Sequence, residues 1–477
     1  MSSPSILQSS SNSFVTADRP LTPLPAGGED AHHFDWKEAW YPIFYLADLD
    51  RDRPNAFTLL EQDLVIWWDR TSESWRVMED RCPHRLAPLS EGRIAEDGLL
   101  ECPYHGWAFS GTGDCERIPQ QVMGGTAETS QRACVTVLPT AIRQGMLFVY
   151  PGKPENANRV PVPIVDPLEE SPGEWVILNT FRDLPYDALT LLENVIDASH
   201  VPYTHHKSVG NRANAGPVEL EIVESSRQGF TGFWEEGPRR GKLGSQYTTF
   251  IAPNVMWHDL TSKQFGRTLT VVYATPISKG ECRLFAQFPF KFTSKIPALF
   301  IQLTPRWYSH IGQNSVLEDD QIFLHKQERY LEKAGGSSYF AKAFYLPTKA
   351  DRFVIELRNW VNQYKAEIFP GDSLTPVLDQ ETLLDRYHSH TSKCKSCQGA
   401  LKRIQQLKFL SLAIAALSWT LAPLFVALNF SMSVNLITTL FALTGVGTWF
   451  FLTRLEKQFH QGRAIPPRNL PEKTPKK

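Results

Sequence analysis

Along the first third of the chain, short apolar runs at 64–68, 74–78, 99–102 and 146–150 are broken by Gly, Pro, Asp and Asn. Runs of this length and composition predict strands of a small antiparallel sandwich or barrel. A Pro-rich stretch over 153–172 then leads into a larger segment with a different pattern. Strand-like runs at 175–180, 246–252, 268–274 and 283–288 alternate with helical periodicity at 188–199, 320–332 and 350–365. This predicts an α+β unit built round an antiparallel sheet. Near the C-terminus the composition shifts again, to uncharged apolar runs at 409–430 and 434–452. Each has about the length that a bilayer core requires, so a two-helix transmembrane hairpin is expected. Lys402, Arg403 and Lys408 precede it, Arg454, Lys457 and Arg463 follow it, and the connection at 429–433 is uncharged, which places both soluble ends on one cytosol-like face.

The pattern divides the chain into a disordered arm (1–33), an all-β domain (34–152), an α+β catalytic domain (153–375), a cysteine-bearing segment (376–402), the hairpin (403–456) and a polar tail (457–477). At 477 residues, more than one folded unit is expected. A net charge of -2 gives no electrostatic reason to expect nucleic acid as a partner. The Ser- and Pro-rich N-terminus lacks the apolar stretch of a secretory signal. Seven cysteines, an odd number, include four in metal-like or redox-like spacings, which suits a reducing compartment better than a disulfide framework.

The first of those spacings is Cys82-Pro83-His84, answered by Cys102-Pro103-Tyr104-His105. Two thiolates and two imidazoles as C-x-H and C-x2-H are what a Rieske [2Fe-2S] cluster needs, Cys82 and Cys102 on one iron and His84 and His105 on the other. Zinc usually takes C-x2-4-C or H-x3-5-H spacings instead. The second constellation runs from Glu193 to His206. Asp197 and His200 share a helix face, and Pro202 biases Val201 out of the helical region, so the helix is expected to end there and His205 to swing back toward His200. Two imidazoles meeting at a broken helix, joined by a carboxylate, would form a facial site for Fe(II) with open positions for O2. Asp319 and Asp320 are the carboxylate candidates, although acids here also suit a solvated helix start capped by Ser315 or Asp319. Cys394-Lys395-Ser396-Cys397 reads as a redox-active dithiol whose flanking lysines lower the thiol pKa, with a metal knuckle using His388 and His390 as the alternative. Cys115, Cys134 and Cys282 are read as isolated thiols. With no G-x-G-x-x-G after a strand and no P-loop, reducing equivalents must come from a separate protein.

Taken together, these motifs resemble the membrane-associated Rieske non-haem iron oxygenases of plastids and cyanobacteria: pheophorbide a oxygenase, chlorophyllide a oxygenase, the protochlorophyllide-dependent translocon component and the Rieske subunit of the inner-envelope translocon. The resemblance is carried by Phe34 to Pro42, Asp80 to Gly92, Cys102 to Trp107, Glu193 to His206 and Arg386 to Cys397, followed by the apolar hairpin. It implies a [2Fe-2S] cluster on Cys82, His84, Cys102 and His105, and a catalytic Fe(II) on His200, His205 and Asp320, with Asp319 the rival if the register slips. It further implies that Asp197 bridges a cluster histidine of one subunit to the iron of its neighbour in a homotrimer, and that Cys394 and Cys397 answer to thioredoxin. Ferredoxin would supply electrons for mono-oxygenation, by O2, of a hydrophobic ring substrate, a chlorophyll-derived tetrapyrrole above all. The setting would be a thylakoid or other photosynthetic membrane, soluble domains on the stromal or cytosolic face, and the short N-terminus suggests a cyanobacterial-type member. The alternative is a membrane electron-transfer or redox-sensing subunit that uses the cluster without turnover.

Overall fold

A computed structural model describes residues 33–262 and 266–471. The arm expected at 1–33 lies outside the described residues except for its last position, as do residues 472–477 of the expected polar tail.

The strand Gln62–Asp69 shows how the all-β part is built. Its alternate side chains point to opposite faces: Leu64 and Ile66 join the core shared with the catalytic unit, while Val65 and Trp67 join a second core that contains Cys82 and Cys102. This strand lies in a four-stranded sheet with Asn55–Leu59, Ser74–Glu79 and Val137–Leu138. A second four-stranded sheet, made from Arg93–Ile94, Leu100–Glu101, Ala108–Phe109 and Cys115–Arg117, carries the loop that bears His105. Tyr41–Tyr45, Met146–Val149 and Thr140–Arg143 form a three-stranded sheet.

The catalytic unit is a seven-stranded antiparallel sheet in the order Val176–Leu184, Glu281–Lys291, Gly266–Ser278, Val255–Ser262, Gln246–Ile251, Gly229–Trp234, Leu220–Ser226. Three of its strands, Leu220–Ser226, Gly229–Trp234 and Val255–Ser262, lie outside the strand-like runs read from the sequence. The first exposes Glu221 and Glu224, and the second carries Gly229 and Gly232. Gly232 reads as a breaker but serves packing: a Cβ there would sit 2.2 Å from the Phe353 ring of the helix Arg352–Gln363. The helix Ala188–Ile196 buries Leu191, Leu192 and Ile196 against Val272, Ala274, Leu284 and Ala286 of the sheet.

The helix expected to start beside Asp319 instead runs unbroken from Arg306 to Ala334. Neither Ser315 nor Asp319 caps it; the Ser315 hydroxyl donates back to the Ile311 carbonyl at 3.0 Å. Periodicity missed its first half because its buried face is polar, holding His310, Asn314, Glu318, Asp319, Asp320, Gln321, His325 and Glu328. Glu318 is clamped there by Arg182 Nη1 at 2.8 Å and by Arg386 through Nε at 2.5 Å and Nη2 at 2.7 Å.

The C-terminal runs form two helices, Lys395–Ala427 and Met432–His460, each long and apolar enough to cross a membrane. Their outward side chains are open, Phe409 at 77% and Trp419 at 75%. Their mutual contact is close: a Cβ on Gly445 would lie 2.8 Å from the Ser411 carbonyl and 3.0 Å from the Ala415 Cβ. The hairpin is rooted in the body, since Cys397, Leu401, Ile404, Leu452 and Phe459 share a core with Phe181, Tyr273 and Phe285. Residues of the expected polar tail pack back on the body, where Gly462 N–H donates to the Leu384 carbonyl and Arg468 Nη1 to the carbonyls of Asp319 and Thr204.

Removing Glu318 leaves two buried guanidiniums uncompensated, so Glu318→Ala is expected to lower stability by about 3–5 kcal/mol in chemical denaturation of the detergent-solubilised chain. A loss under about 1 kcal/mol would show the clamp to be dispensable. Burial pushes the Glu318 carboxyl up, but Arg386 and Arg182 override it and hold the group below its ordinary value. Its contribution is therefore present above the unfolded carboxyl value of about 4.3 and disappears as pH falls through the folded value. The variant should lose less stability on acidification than the parent.

Candidate functional site

The two cluster loops are built alike. In the first, Cys82 N–H donates to the Ala87 carbonyl and Leu86 N–H to the Cys82 carbonyl; in the second, Cys102 N–H donates to the Trp107 carbonyl and Gly106 N–H to the Cys102 carbonyl. Each loop thus holds a buried cysteine at its base, and His84 and His105 meet at the rim with ring centroids 4.6 Å apart. Trp107 stacks on His84 at 4.6 Å, fixing its plane. His84 is exposed and His105 half-exposed, so the imidazole edge faces outward while the sulfurs face the core. Burial pushes the Cys82 thiol up to about 12, a penalty that a bound cation removes. This donor set, paired sulfurs within and paired nitrogens at the surface, fits a [2Fe-2S] cluster.

The second centre forms where the chain breaks between two helices. The helix Ala188–Ile196 ends earlier than expected, and Asp197 is extended, so it does not share a helical face with His200. Pro202 does not end a helix but opens the short one at Val201–Thr204. In a first turn, the N–H that proline lacks has no intrahelical partner to lose. Asp197 secures the bend by accepting from Ser199 N–H at 2.7 Å and Ser199 Oγ at 2.6 Å. Its backbone carbonyl lies 2.5 Å from His200 Nδ1, which leaves His200 Nε2 free to face inward.

There His200 Nε2 and His205 Nε2 lie 3.3 Å apart, and His205 Nε2 lies 3.3 Å from Asp320 Oδ2. The Asp320 carboxylate is also 3.9 Å from His200 Nε2 and accepts from Asn194 Nδ2 at 3.4 Å. Asp319 points to the other side of the same imidazole, 3.3 Å from His205 Nδ1, and accepts from Ser208 Oγ at 2.8 Å. One aspartate thus shares the face of the two Nε2 atoms, and its neighbour orients a histidine from behind. Burial pushes the Asp320 carboxyl up against the pull of His205 and His200. Two buried carboxylates beside two imidazoles fit a divalent cation.

The trio opens into a cavity of about 650 Å³, walled by Leu191, Trp234, Leu260, Val272, Leu284 and Phe288. Sequence reasoning missed several of its polar groups. His258 lines the wall, its ring 2.9 Å from the Val195 carbonyl and its Nδ1 2.8 Å from Thr248 Oγ1, and burial holds it neutral down to about 4. Arg239 and Arg240 stand exposed among the lining residues. Nothing local in the sequence marks these groups: strand pairing brings His258 to the cavity, and the connection between Gly229–Trp234 and Gln246–Ile251 brings Arg239 and Arg240.

Cys394 and Cys397 come together at the start of the helix Lys395–Ala427 but are 0% and 2% exposed. The lysines expected to activate them are engaged elsewhere: Lys393 Nζ pairs with Asp183, and Lys395 Nζ donates to the Leu49 carbonyl at 2.6 Å. Cys115 and Cys282 are buried, and Cys134 is half-exposed.

Residues 39–137, which contain Cys82, His84, Cys102 and His105, match the Rieske [2Fe-2S] domain, and residues 250–338, which contain Asp319 and Asp320, match the family described as pheophorbide a oxygenase. The fold is shared with solved structures: dicamba monooxygenase bound to dicamba superposes with a TM-score of 0.56 at 20% identity, over 69% of this chain and 98% of that one. The chain is therefore a Rieske non-haem iron oxygenase, with a [2Fe-2S] cluster, a mononuclear iron and a separate electron donor. Among sequence relatives, the chloroplastic pheophorbide a oxygenase of Arabidopsis thaliana is 38% identical over 411 residues, spanning 80% of this chain and 75% of the relative. The chloroplastic flavonoid 8-hydroxylase 2 of Ocimum basilicum is 35% identical over 419 residues, spanning 81% and 77%. The chain belongs to the pheophorbide a oxygenase family.

The different positions of the two aspartates predict different losses. Asp320→Ala should abolish retention of the mononuclear iron, whereas Asp319→Asn should keep the iron but weaken it about 10- to 100-fold. Chelator titration of both variants, with the visible absorption of the cluster as an internal control, separates the roles. Equal losses would show that the two carboxylates are equivalent.

Proposed function

We propose that this chain uses O2 and ferredoxin-derived electrons to oxygenate a hydrophobic ring molecule bearing a carboxylate, a chlorophyll-derived tetrapyrrole of the pheophorbide a or chlorophyllide a type. The observation that carries this reading is the cavity: about 650 Å³, apolar along its walls, with His200, His205 and Asp320 in it and Arg239 and Arg240 among its lining. That volume lies within the range of about 300–1,000 Å³ usual for ligand sites. The apolar walls would exclude water and hold a planar ring over the metal-binding face. Either arginine could pair with a carboxylate left outside the apolar part.

When bound, the cluster relays single electrons and the ferrous ion activates O2. Around them the chain supplies orientation. Asp197 fixes His200 through its carbonyl, Asp319 fixes His205, and Asn194 steadies Asp320. The outward edge of His84 and His105 supports assembly as a homotrimer, in which that edge of one chain meets Asp197 of the next, Asp197 serving as the bridge between centres. Residues 34–152 then make the Rieske domain, 153–375 the catalytic domain, 376–402 the C-x2-C segment and 403–456 the hairpin.

We further infer that the hairpin is integral to a thylakoid or other photosynthetic membrane, with the soluble body on the stromal or cytosolic face, because Lys402, Arg403, Arg454 and Lys457 lie at its base. An apolar macrocycle partitions into the same lipid, so a membrane-anchored cavity meets its substrate where it is concentrated. Ferredoxin is retained as the donor. Thioredoxin would have to reach two buried sulfurs.

The relationship to a flavonoid 8-hydroxylase supports a second reading, an aromatic phenolic substrate. Detergent-solubilised protein, reduced ferredoxin and 18O2 should be incubated with pheophorbide a, chlorophyllide a and a flavone in parallel. A tetrapyrrole product carrying one 18O atom is expected; labelled flavone alone would favour the second reading, and no labelled product with both iron centres loaded would favour an electron-transfer subunit. Replacing Arg239 and Arg240 with alanine should raise KM about three- to fivefold for the free carboxylate and leave its methyl ester unchanged.

A further inference from the structure

Away from the iron centre, His310, His390, Cys394 and Cys397 are all buried, with one donor atom from each lying within 4.8 Å of the others. They come from three places: His310 from the long helix Arg306–Ala334, His390 from the loop that follows Ser389, and the cysteines from the start of the helix Lys395–Ala427. His310 Nδ1 lies 3.0 Å from His390 Nε2 and 3.5 Å from each sulfur, and His390 Nε2 lies 3.3 Å from Cys397 Sγ. A tetrahedral ion with about 2.0–2.1 Å to nitrogen and about 2.3 Å to sulfur sets two nitrogens about 3.3 Å apart and a nitrogen and a sulfur about 3.6 Å apart. The observed spacings follow that geometry.

The hydrogen bonds on the far side of each ring determine the tautomers. His310 Nε2 lies 2.8 Å from the Asn179 carbonyl and His390 Nδ1 lies 2.6 Å from the Phe181 carbonyl. A carbonyl only accepts, so both N–H groups point outward, and both inward nitrogens present lone pairs to each other and to the sulfurs. Converging lone pairs in a buried pocket call for a cation, and backbone carbonyls behind metal-bound imidazoles are a usual support for one. Cys394 caps the long helix and Cys397 sits in its first turn, so both sulfurs are held at one fixed point of the fold. His388, the partner expected from the sequence, takes no part: its side chain is 80% exposed and pairs with Asp385 at 2.5 Å.

We propose that His310, His390, Cys394 and Cys397 form a closed, four-ligand zinc site that fastens the root of the C-terminal hairpin to the helix carrying Asp319 and Asp320. Two sulfurs and two nitrogens in tetrahedral array select zinc, and full protein ligation makes its role structural. His310 and Asp320 lie ten residues apart on one helix, about 15 Å along its axis, so the ion sets the position of the membrane root relative to the cavity.

The test is elemental analysis of the untagged full-length holoprotein, purified in detergent without added metal. About one zinc per chain is expected, and X-ray absorption at the zinc edge should show two sulfur and two nitrogen neighbours. Cys394→Ser combined with Cys397→Ser should reduce zinc below about a tenth of the parent level while the cluster absorption persists. If that variant does not fold, the zinc-edge spectrum of the parent decides alone. Zinc below about 0.2 per chain, zinc with an oxygen-rich shell, or a Cys394–Cys397 disulfide in the purified chain would each overturn the proposal. Zinc content and oxygenation are separate readouts, so failure of one leaves the other standing.

Discussion

Placing Glu318, Asp319 and Asp320 in succession inside the protein is the constraint on which the rest of this structure depends. Three adjacent acids on a helix point in three directions, and each buried carboxylate needs its own compensation. Glu318 takes Arg182 from the sheet and Arg386 from the segment before the hairpin. Asp319 takes His205 and Ser208, and Asp320 faces both histidines and Asn194. The helix thereby joins the sheet, the broken-helix segment and the hairpin root at one level.

The two iron centres differ in how they meet solvent, and the difference follows from the strand alternation beneath them. Side chains on one face of Gln62–Asp69 pack in the core that holds Cys82 and Cys102, and those on the other join the core that also buries the helix Ala188–Ile196. His84 and His105 are left at the surface. The second centre faces a cavity instead, with Leu191, Trp234, Val272 and Phe288 among its walls.

Much of this was legible in the sequence. The cluster motifs are short, local and chemically unusual, and the apolar hairpin needs only length and composition to be seen. His200 and His205 were also readable as a pair, although the break that joins them lies at Asp197 rather than after Val201. The long helix was half hidden, because a buried face made of His310, Asn314, Glu318 and His325 looks like a solvated one. His310 could not have been linked to Cys394 and Cys397 by any local signal, since only tertiary packing brings it there. The strand Gly229–Trp234 went unseen for the complementary reason: the side chain Gly232 lacks leaves room for the Phe353 ring, a packing feature that propensity reads as a break.

The central claim is that one chain carries two distinct iron centres, a surface cluster and a cavity iron held by His200, His205 and Asp320. Mössbauer spectroscopy of the holoprotein loaded with 57Fe and reduced anaerobically tests it most directly. The account predicts about two cluster irons to one high-spin ferrous iron per chain, with the ferrous component alone absent from His200→Ala. Cluster iron with no ferrous component in the parent chain, or a ferrous component that survives in His200→Ala, would contradict it.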